Sequence, residues 1–309
     1  MGGTIPVLVD YTIDGVTVIL AALNDGTEIY GYDNARPSGG NDWHLPNVSD
    51  PDKLHDIPGA AATDAIRFVL SGTEYVAFAA QTHWTYNSNH DDPVTATWVD
   101  RTEDVDFFAF WDRKLWGIDN DGQLWWTSDV AATPTNDANL QDDNAILDGD
   151  VVGMFVGPDL SGEPIIYVST KVGLFAHDKH NERFLKTSVA FPRSDDAVRG
   201  ATWNGDIYQP VGLSVYRYSP QQQVLKNVGL DLDDGLADID HGKISHMTTT
   251  HTQLVVSTDP QAGGSRTGGI FGYDGQGWNC LLINSANHNT ESLLASDAYG
   301  AYRLWWARD

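Results

Sequence analysis

The chain has 309 residues, 41% of them apolar, enough for two ordinary domains or one large closed β domain with a sizeable core. Its 43 acidic residues face 18 basic ones, a formal net charge of −25 with no basic cluster, which argues against nucleic-acid binding through phosphate neutralisation and against attraction to anionic membranes. Cys280 stands alone and excludes an internal disulfide, no run approaches the ~18 apolar residues of a membrane span, and Met1–Ile5 carries no sign of a signal peptide, which leaves localisation open.

Short runs rich in β-branched and aromatic residues, punctuated by Gly, Asp and Asn, predict strands throughout. No segment of ten or more residues reads as a helix. In chain order, a first group of strands is expected at 15–23, 27–33 and 42–48, with a turn at Asn24-Asp25-Gly26. A second covers 65–70, 74–80, 82–87 and 95–101, turning at Ser71-Gly72. A third covers 105–110, 114–119 and 123–128, turning at Asn120-Asp121-Gly122. A fourth covers 151–156, 164–169, 173–178 and 183–189. A fifth covers 198–203, 206–211, 213–219 and 224–228, and a sixth covers 244–249, 253–258, 268–274 and 278–283. Two last strands follow at 292–297 and 301–306. The polar stretches 34–42, 87–93, 132–147 and 259–267 read as loops.

One phrase recurs through these groups: an apolar residue, an aromatic, a spacer, a second bulky residue, then often Asp, Asn or Ser. It appears at Ile29–Asp33, His83–Asn87, Leu124–Ser128, Leu174–Asp178, Val215–Ser219, Ile270–Asp274 and, unfinished, at Leu304–Asp309. The anchors Tyr30, Trp84, Trp125, Phe175, Tyr216, Phe271 and Trp305 are spaced by about 46 residues on average, close to a four-stranded propeller blade. A sandwich has no need of the same aromatic phrase in each group. The expected fold is therefore all-β, a single β-propeller domain over 1–309. Seven blades of about four antiparallel strands are expected, the last closed by pairing the N-terminal strand 5–11 with the C-terminal strands. The alternative is six blades, with 5–11 as the first strand of blade one.

The stretch Leu115–Trp126, in which an aromatic strand turns at Asp121-Gly122 into a second aromatic strand, resembles the tectonin-type propeller repeat. Gly269–Gly275 and Ala298–Trp306 look like repeats in propeller proteins of tailed-phage virions. Each likeness covers about a dozen residues per blade. It implies the fold, with carbohydrate binding as the tectonin-type role and a structural or adhesive role as the virion one.

The acids are lopsided: six are Glu and the other 37 Asp. Asp bonds nearby backbone N–H groups in turns, whereas Glu favours helices, so the bias predicts many turns. The densest run, Asp231, Asp233, Asp234, Asp238 and Asp240, is the candidate calcium site, although Gly235 directly after Asp233-Asp234 breaks the EF-hand order. No other cofactor is expected. No Gly-x-Ser-x-Gly elbow, Asp box or Gly-rich phosphate loop is present, and no catalytic residue is assigned.

The eleven Trp remain. Most should pack between sheets. An aromatic beside Asp or Asn is also the chemistry of sugar binding, a ring covering an apolar sugar face while carboxylates and amides take hydroxyls. His83, Trp84, Tyr86 and Asn87, and Trp203 with Asp206, are the candidate ligand-binding residues. In the pairs Trp125-Trp126 and Trp305-Trp306 one ring should pack inward and the other face away. The sequence thus points to a non-enzymatic propeller with a protein partner, of protein-interaction or virion-structural type. A carbohydrate-binding propeller with a glycan partner is the alternative, and a glycosidase-like enzyme the third reading.

Overall fold

The computed structural model describes residues 7–13, 16–23, 25–32, 53–88, 98–136, 150–178, 183–187, 189, 194–230, 242–260, 268–283, 289–298 and 302–308. Six four-stranded antiparallel sheets follow one another along the chain. Blade one holds β1 (Val7–Ile13), β2 (Val16–Leu23), β3 (Glu28–Tyr32) and β4 (His55–Asp56). Blade two holds β5 (Asp64–Leu70), β6 (Thr73–Ala80), β7 (His83–Asn87) and β8 (Val99–Arg101). Blade three holds β9 (Phe107–Trp111), β10 (Lys114–Ile118), β11 (Leu124–Thr127) and β12 (Thr135–Asn136).

Blade four holds β13 (Val151–Pro158), β14 (Pro164–Thr170), β15 (Gly173–Asp178) and β16 (Arg183–Lys186). Blade five holds β17 (Ala201–Trp203), β18 (Asp206–Val211), β19 (Ser214–Ser219) and β20 (Val224–Asn227). Blade six holds β21 (Ile244–Thr249), β22 (Leu254–Thr258), β23 (Gly269–Tyr273) and β24 (Trp278–Ile283). A separate hairpin pairs β25 (Thr290–Ser296) with β26 (Arg303–Arg308).

The first strand of each sheet lies against the first strand of the next, β1 to β5, β5 to β9, and so on to β21. This radial arrangement is a six-bladed β-propeller. The hairpin stands as a two-stranded wedge between blade six and blade one, with β25 against both β21 and β1. The ring therefore does not close by pairing the termini into a seventh blade. Val7–Ile13 pairs along its whole length with Val16–Leu23, a tight hairpin whose local contacts outcompete pairing with strands almost 300 residues away. The six-blade alternative, with this strand first in blade one, is the observed arrangement. Residues 42–48, expected as a strand of blade one, lie outside the described residues, and β4 supplies the fourth strand instead.

The second strand of a blade has neighbours on both edges and both faces, and its sequence shows it. Val18–Leu23 in β2 and Leu254–Thr258 in β22 are buried without a break. The Asp bias is explained by the turns. Asp119 Oδ1 accepts from the N–H groups of Asp121 and Gln123 at 3.0 and 2.7 Å. Asp159 Oδ1 takes Ser161 and Glu163 at 2.7 and 2.9 Å, and Asp274 Oδ1 takes Gln276 and Gly277 at 2.8 and 2.9 Å. These N–H donors hold the Asp274 carboxyl below the usual carboxylate range.

Candidate functional site

The residues singled out from sequence fall in two separate inter-blade seams. Trp84 is fully buried at the seam of blades two and three. Its ring stacks on Trp125 at 5.5 Å and its Nε1–H donates to Glu103 Oε2 at 3.0 Å. Arg101 bonds the same carboxylate, Nη2 to Oε1 at 3.0 Å. Tyr86 packs beside Trp84 at 5.3 Å, and buried Asn87 accepts from the Tyr11 hydroxyl. His83 is half-buried above Gly59 and bonds the Thr82 hydroxyl at 2.9 Å.

Trp203 lies in the seam of blades five and six, against Tyr208 and Tyr273 at 5.9 and 6.2 Å. Asp206 is buried and taken up by Arg217, whose Nε–H donates to its Oδ2 at 2.6 Å. The fully covered ring of Trp84 and the 6% exposed ring of Trp203 have no free face to lay on a sugar. Their aromatic character serves sheet-to-sheet packing. The acidic run Asp231–Asp240 lies outside the described residues. Among the described residues no three metal-ligating side chains converge.

Two cavities stand out among the described residues. The first is the central channel, about 610 Å³, walled by the inner strands of all blades and by β25. Its wall carries one carboxylate among the described lining residues, Asp64, and Arg199 occupies it with Nη1–Oδ1 at 2.8 Å. The paired carboxylates of a glycosidase are not found there.

The second is a cleft of about 630 Å³ at the outer seam of blades three and four. Its aromatic wall is built by strand alternation. On β9, β10 and β11 the residues Trp111, Trp116 and Trp126 point to the blade-four side, while Trp125 points to blade two. The Trp111 Nε1–H donates to the Pro164 carbonyl at 2.8 Å, tying the two blades together, and the Trp116 Nε1–H donates to the Trp111 carbonyl at 3.3 Å. His177 from β15 sets its ring edge-on to both, at 5.4 Å each. Trp116 and His177 are buried, whereas Trp111 and Trp126 are half-exposed. Lys114 Nζ sits 3.6 Å from the Trp126 ring centroid. Asp112, Thr135, Asn136 and Glu163, all exposed, form the polar rim.

None of the sequence-selected ligand residues lies in this cleft. The one signal that pointed to it was the adjacent pair Trp125-Trp126: the inward ring is 4% exposed and the outward one lines the cleft. Trp111, Lys114 and Glu163 come from turns and strand ends whose meeting across a seam leaves no local pattern.

No protein-family model matches the sequence, and no curated protein matches it. Solved structures do. The extracellular domain of the one component system BT4673 from B. thetaiotaomicron aligns with a TM-score of 0.62 at 13% identity, over 99% of this chain and 38% of that one. The chain thus spans under two-fifths of that domain. BBS1N, crystallised in complex with ARL6DN, aligns equally well, TM-score 0.62 at 13% identity, over 99% of this chain and 89% of the other. The computationally designed Ika8 protein aligns at a TM-score of 0.56 and 10% identity, over 99% and 97%. At such identities the likeness is one of fold, and with the six radial sheets it makes this chain a β-propeller.

Proposed function

We propose that the protein is a non-enzymatic structural and binding propeller that assembles with protein neighbours through the outer strands of blades four to six and the wedge. The carrying observation is an asymmetry of the rim. On the outer strands of blades one to three, β4, β8 and β12, the exposed residues are Asp56, Asp100, Thr135 and Asn136, all polar. On β16, β20, β24 and β26 the exposed residues include Leu185, Val224, Leu225, Leu281, Ile283 and Trp306. Edge strands are ready templates for pairing with another chain, and proteins normally blunt them with charge. β16 and β20 keep one exposed lysine each, but β24 has no charged residue, and its Leu281 and Ile283 are 45% and 61% exposed. A chain with 43 acids has placed none on the described exposed positions of these four strands.

This reading accords with the propellers above that occur in a protein complex and an extracellular domain, and with the sequence likeness to virion propellers. The test is sedimentation of the purified protein across concentration and salt. Copies carrying net charge −25 repel one another, so edge-to-edge association should strengthen as salt screens that repulsion. The double variant Leu281→Lys, Ile283→Lys should stay monomeric where the wild type associates. A wild type that stays monomeric throughout, or association unchanged by the double variant, would remove the reading.

A further inference from the structure

The cleft between blades three and four has no part in the rim reading, and its construction is that of a ligand site. Its volume lies within the range of small-molecule pockets, roughly 300–1,000 Å³. Its floor is preorganised. The Trp111 and Trp116 indole N–H groups are both spent on backbone carbonyls, so these rings offer carbon surface and no donors. The half-exposed Trp111 and Trp126 leave part of that surface uncovered.

Lys114 is the informative residue. Of the six described lysines, Lys53, Lys171 and Lys243 pair with carboxylates, and Lys186 and Lys226 stand exposed on outer strands. Lys114 shares a cleft with Asp112 and Glu163, yet among the described residues it pairs with no carboxylate and lies on indole instead, 3.6 Å from the centre of Trp126 and 5.8 Å from that of Trp116. An ammonium held against rings is partly desolvated and keeps its hydrogen-bonding capacity for an incoming acceptor. The cation already present also repels a cationic ligand.

The rim narrows the ligand class. Asp112 and Glu163 accept hydroxyl protons, and Thr135 and Asn136 both donate and accept. A flat aromatic acid would leave these four groups unused. A densely charged polyanion would meet two carboxylates. A sugar with one carboxylate per ring satisfies all of them: its apolar face on the indoles, its hydroxyls on the rim, its carboxylate on Lys114.

We propose that this cleft binds an acidic saccharide of the uronic-acid type, with Trp111 and Trp126 as the stacking surface, Lys114 as the carboxylate partner, and Asp112, Glu163 and Asn136 as hydroxyl partners. The site uses none of the exposed rim side chains of β24 or β26, so each reading can fail without the other.

The test is calorimetric titration of the whole chain with digalacturonate, and with α-1,4-linked galactobiose as the neutral match. Digalacturonate should bind at least ~10-fold tighter than galactobiose. Lys114→Met keeps the aliphatic stem and should remove that preference, and Trp126→Ala should abolish binding of both sugars. Should either variant unfold early, the wild type still decides the matter: added NaCl should weaken digalacturonate and leave galactobiose unchanged. No heat with digalacturonate at about 10 mM, far above the micromolar-to-millimolar range of a specific site, would overturn the proposal. So would equal affinity of the wild type for the two sugars, or a preference for digalacturonate that survives in a folded Lys114→Met.

Discussion

Arg199, two residues ahead of the first strand of blade five, reaches Asp64 on the first strand of blade two, Nη1 to Oδ1 at 2.8 Å, skipping the two blades between them. On the way its Nη2–H donates to the Phe108 carbonyl of blade three at 3.3 Å. It also passes so close to Gly153 of blade four that a Cβ there would lie 2.5 Å from Arg199 Cβ. The pair fastens four blades across the channel. Asp64 also accepts the Phe108 N–H at 2.8 Å, but enclosure outweighs both partners and holds its carboxyl above the ordinary value.

Arg199→Ala leaves that carboxylate enclosed without its cation. Removing one partner of a buried pair costs ~3–5 kcal/mol, and the exposed edge of Arg199 reduces this to about 2 kcal/mol here. The deficit should shrink toward acid pH, because a carboxyl with a raised folded-state value takes up its proton more readily in the folded protein than in the unfolded one. Chemical denaturation of the variant at neutral and at mildly acid pH checks both statements. Asp64→Asn, which retains an acceptor without the charge, should cost less.

His246 lies on β21 beside the channel, bonded to the Thr290 backbone through one ring nitrogen, with Nδ1 enclosed and without a hydrogen-bond partner. Enclosure lowers its value from 6.5 to about 4. The unfolded chain therefore binds a proton that the folded one refuses between those limits. The stability from neutral His246 is complete above pH 6.5 and is lost as pH falls toward 4. Its size is about 2 kcal/mol, allowing for water in the channel. His246→Gln should flatten this part of the acid-unfolding curve, read as urea midpoints between pH 7 and 4.

Much of the fold was legible because it is repeated. β15, β18, β21 and β24 match the expected strands residue for residue, since each is bounded by turn residues and has a fixed place in its blade. The short outer strands were not. β4 and β12 have two residues each, His55-Asp56 and Thr135-Asn136, too few for a period to show, and their pairing is imposed by the neighbouring strand. The same limit applied to function. Trp84 and Trp203 stood out beside polar neighbours, but Glu103 and Tyr273, which cover them, come from other strands and turns. The cleft is assembled from β9 to β12 and β14 to β15, so no single stretch of sequence announces it.

Gly117 is one position where the sequence rule for strands reverses. Replacing a strand glycine by alanine ordinarily gains ~0.5–1 kcal/mol. Here a Cβ would lie 2.3 Å from Trp125 Cζ2. That ring cannot swing aside, because its Nε1–H is bonded to the Asp104 carbonyl at 2.9 Å and its face is stacked on Trp84. Gly117→Ala should therefore destabilise by about 2 kcal/mol, the scale of overpacking. It should also shift the near-UV circular dichroism of the Trp84–Trp125 pair. An unchanged spectrum with a gain in stability would show that the seam can yield.

The hairpin between β9 and β10 turns on Asp112-Arg113, both left-handed, at φ 48° and 59°. Equivalent two-residue turns in this chain place glycine second, at Ser71-Gly72 and Asn204-Gly205. Arginine pays the steric penalty of that conformation, of order 1–2 kcal/mol, which the greater flexibility of unfolded glycine offsets in part. Arg113→Gly should thus stabilise the protein by about 0.5–1 kcal/mol, measured as a rise in the urea midpoint at constant slope. The turn carries Asp112 on the rim of the cleft, and the substitution leaves that side chain in place. Affinity for digalacturonate should therefore stay unchanged while stability rises, which separates the conformational cost of this turn from any part Arg113 takes in binding.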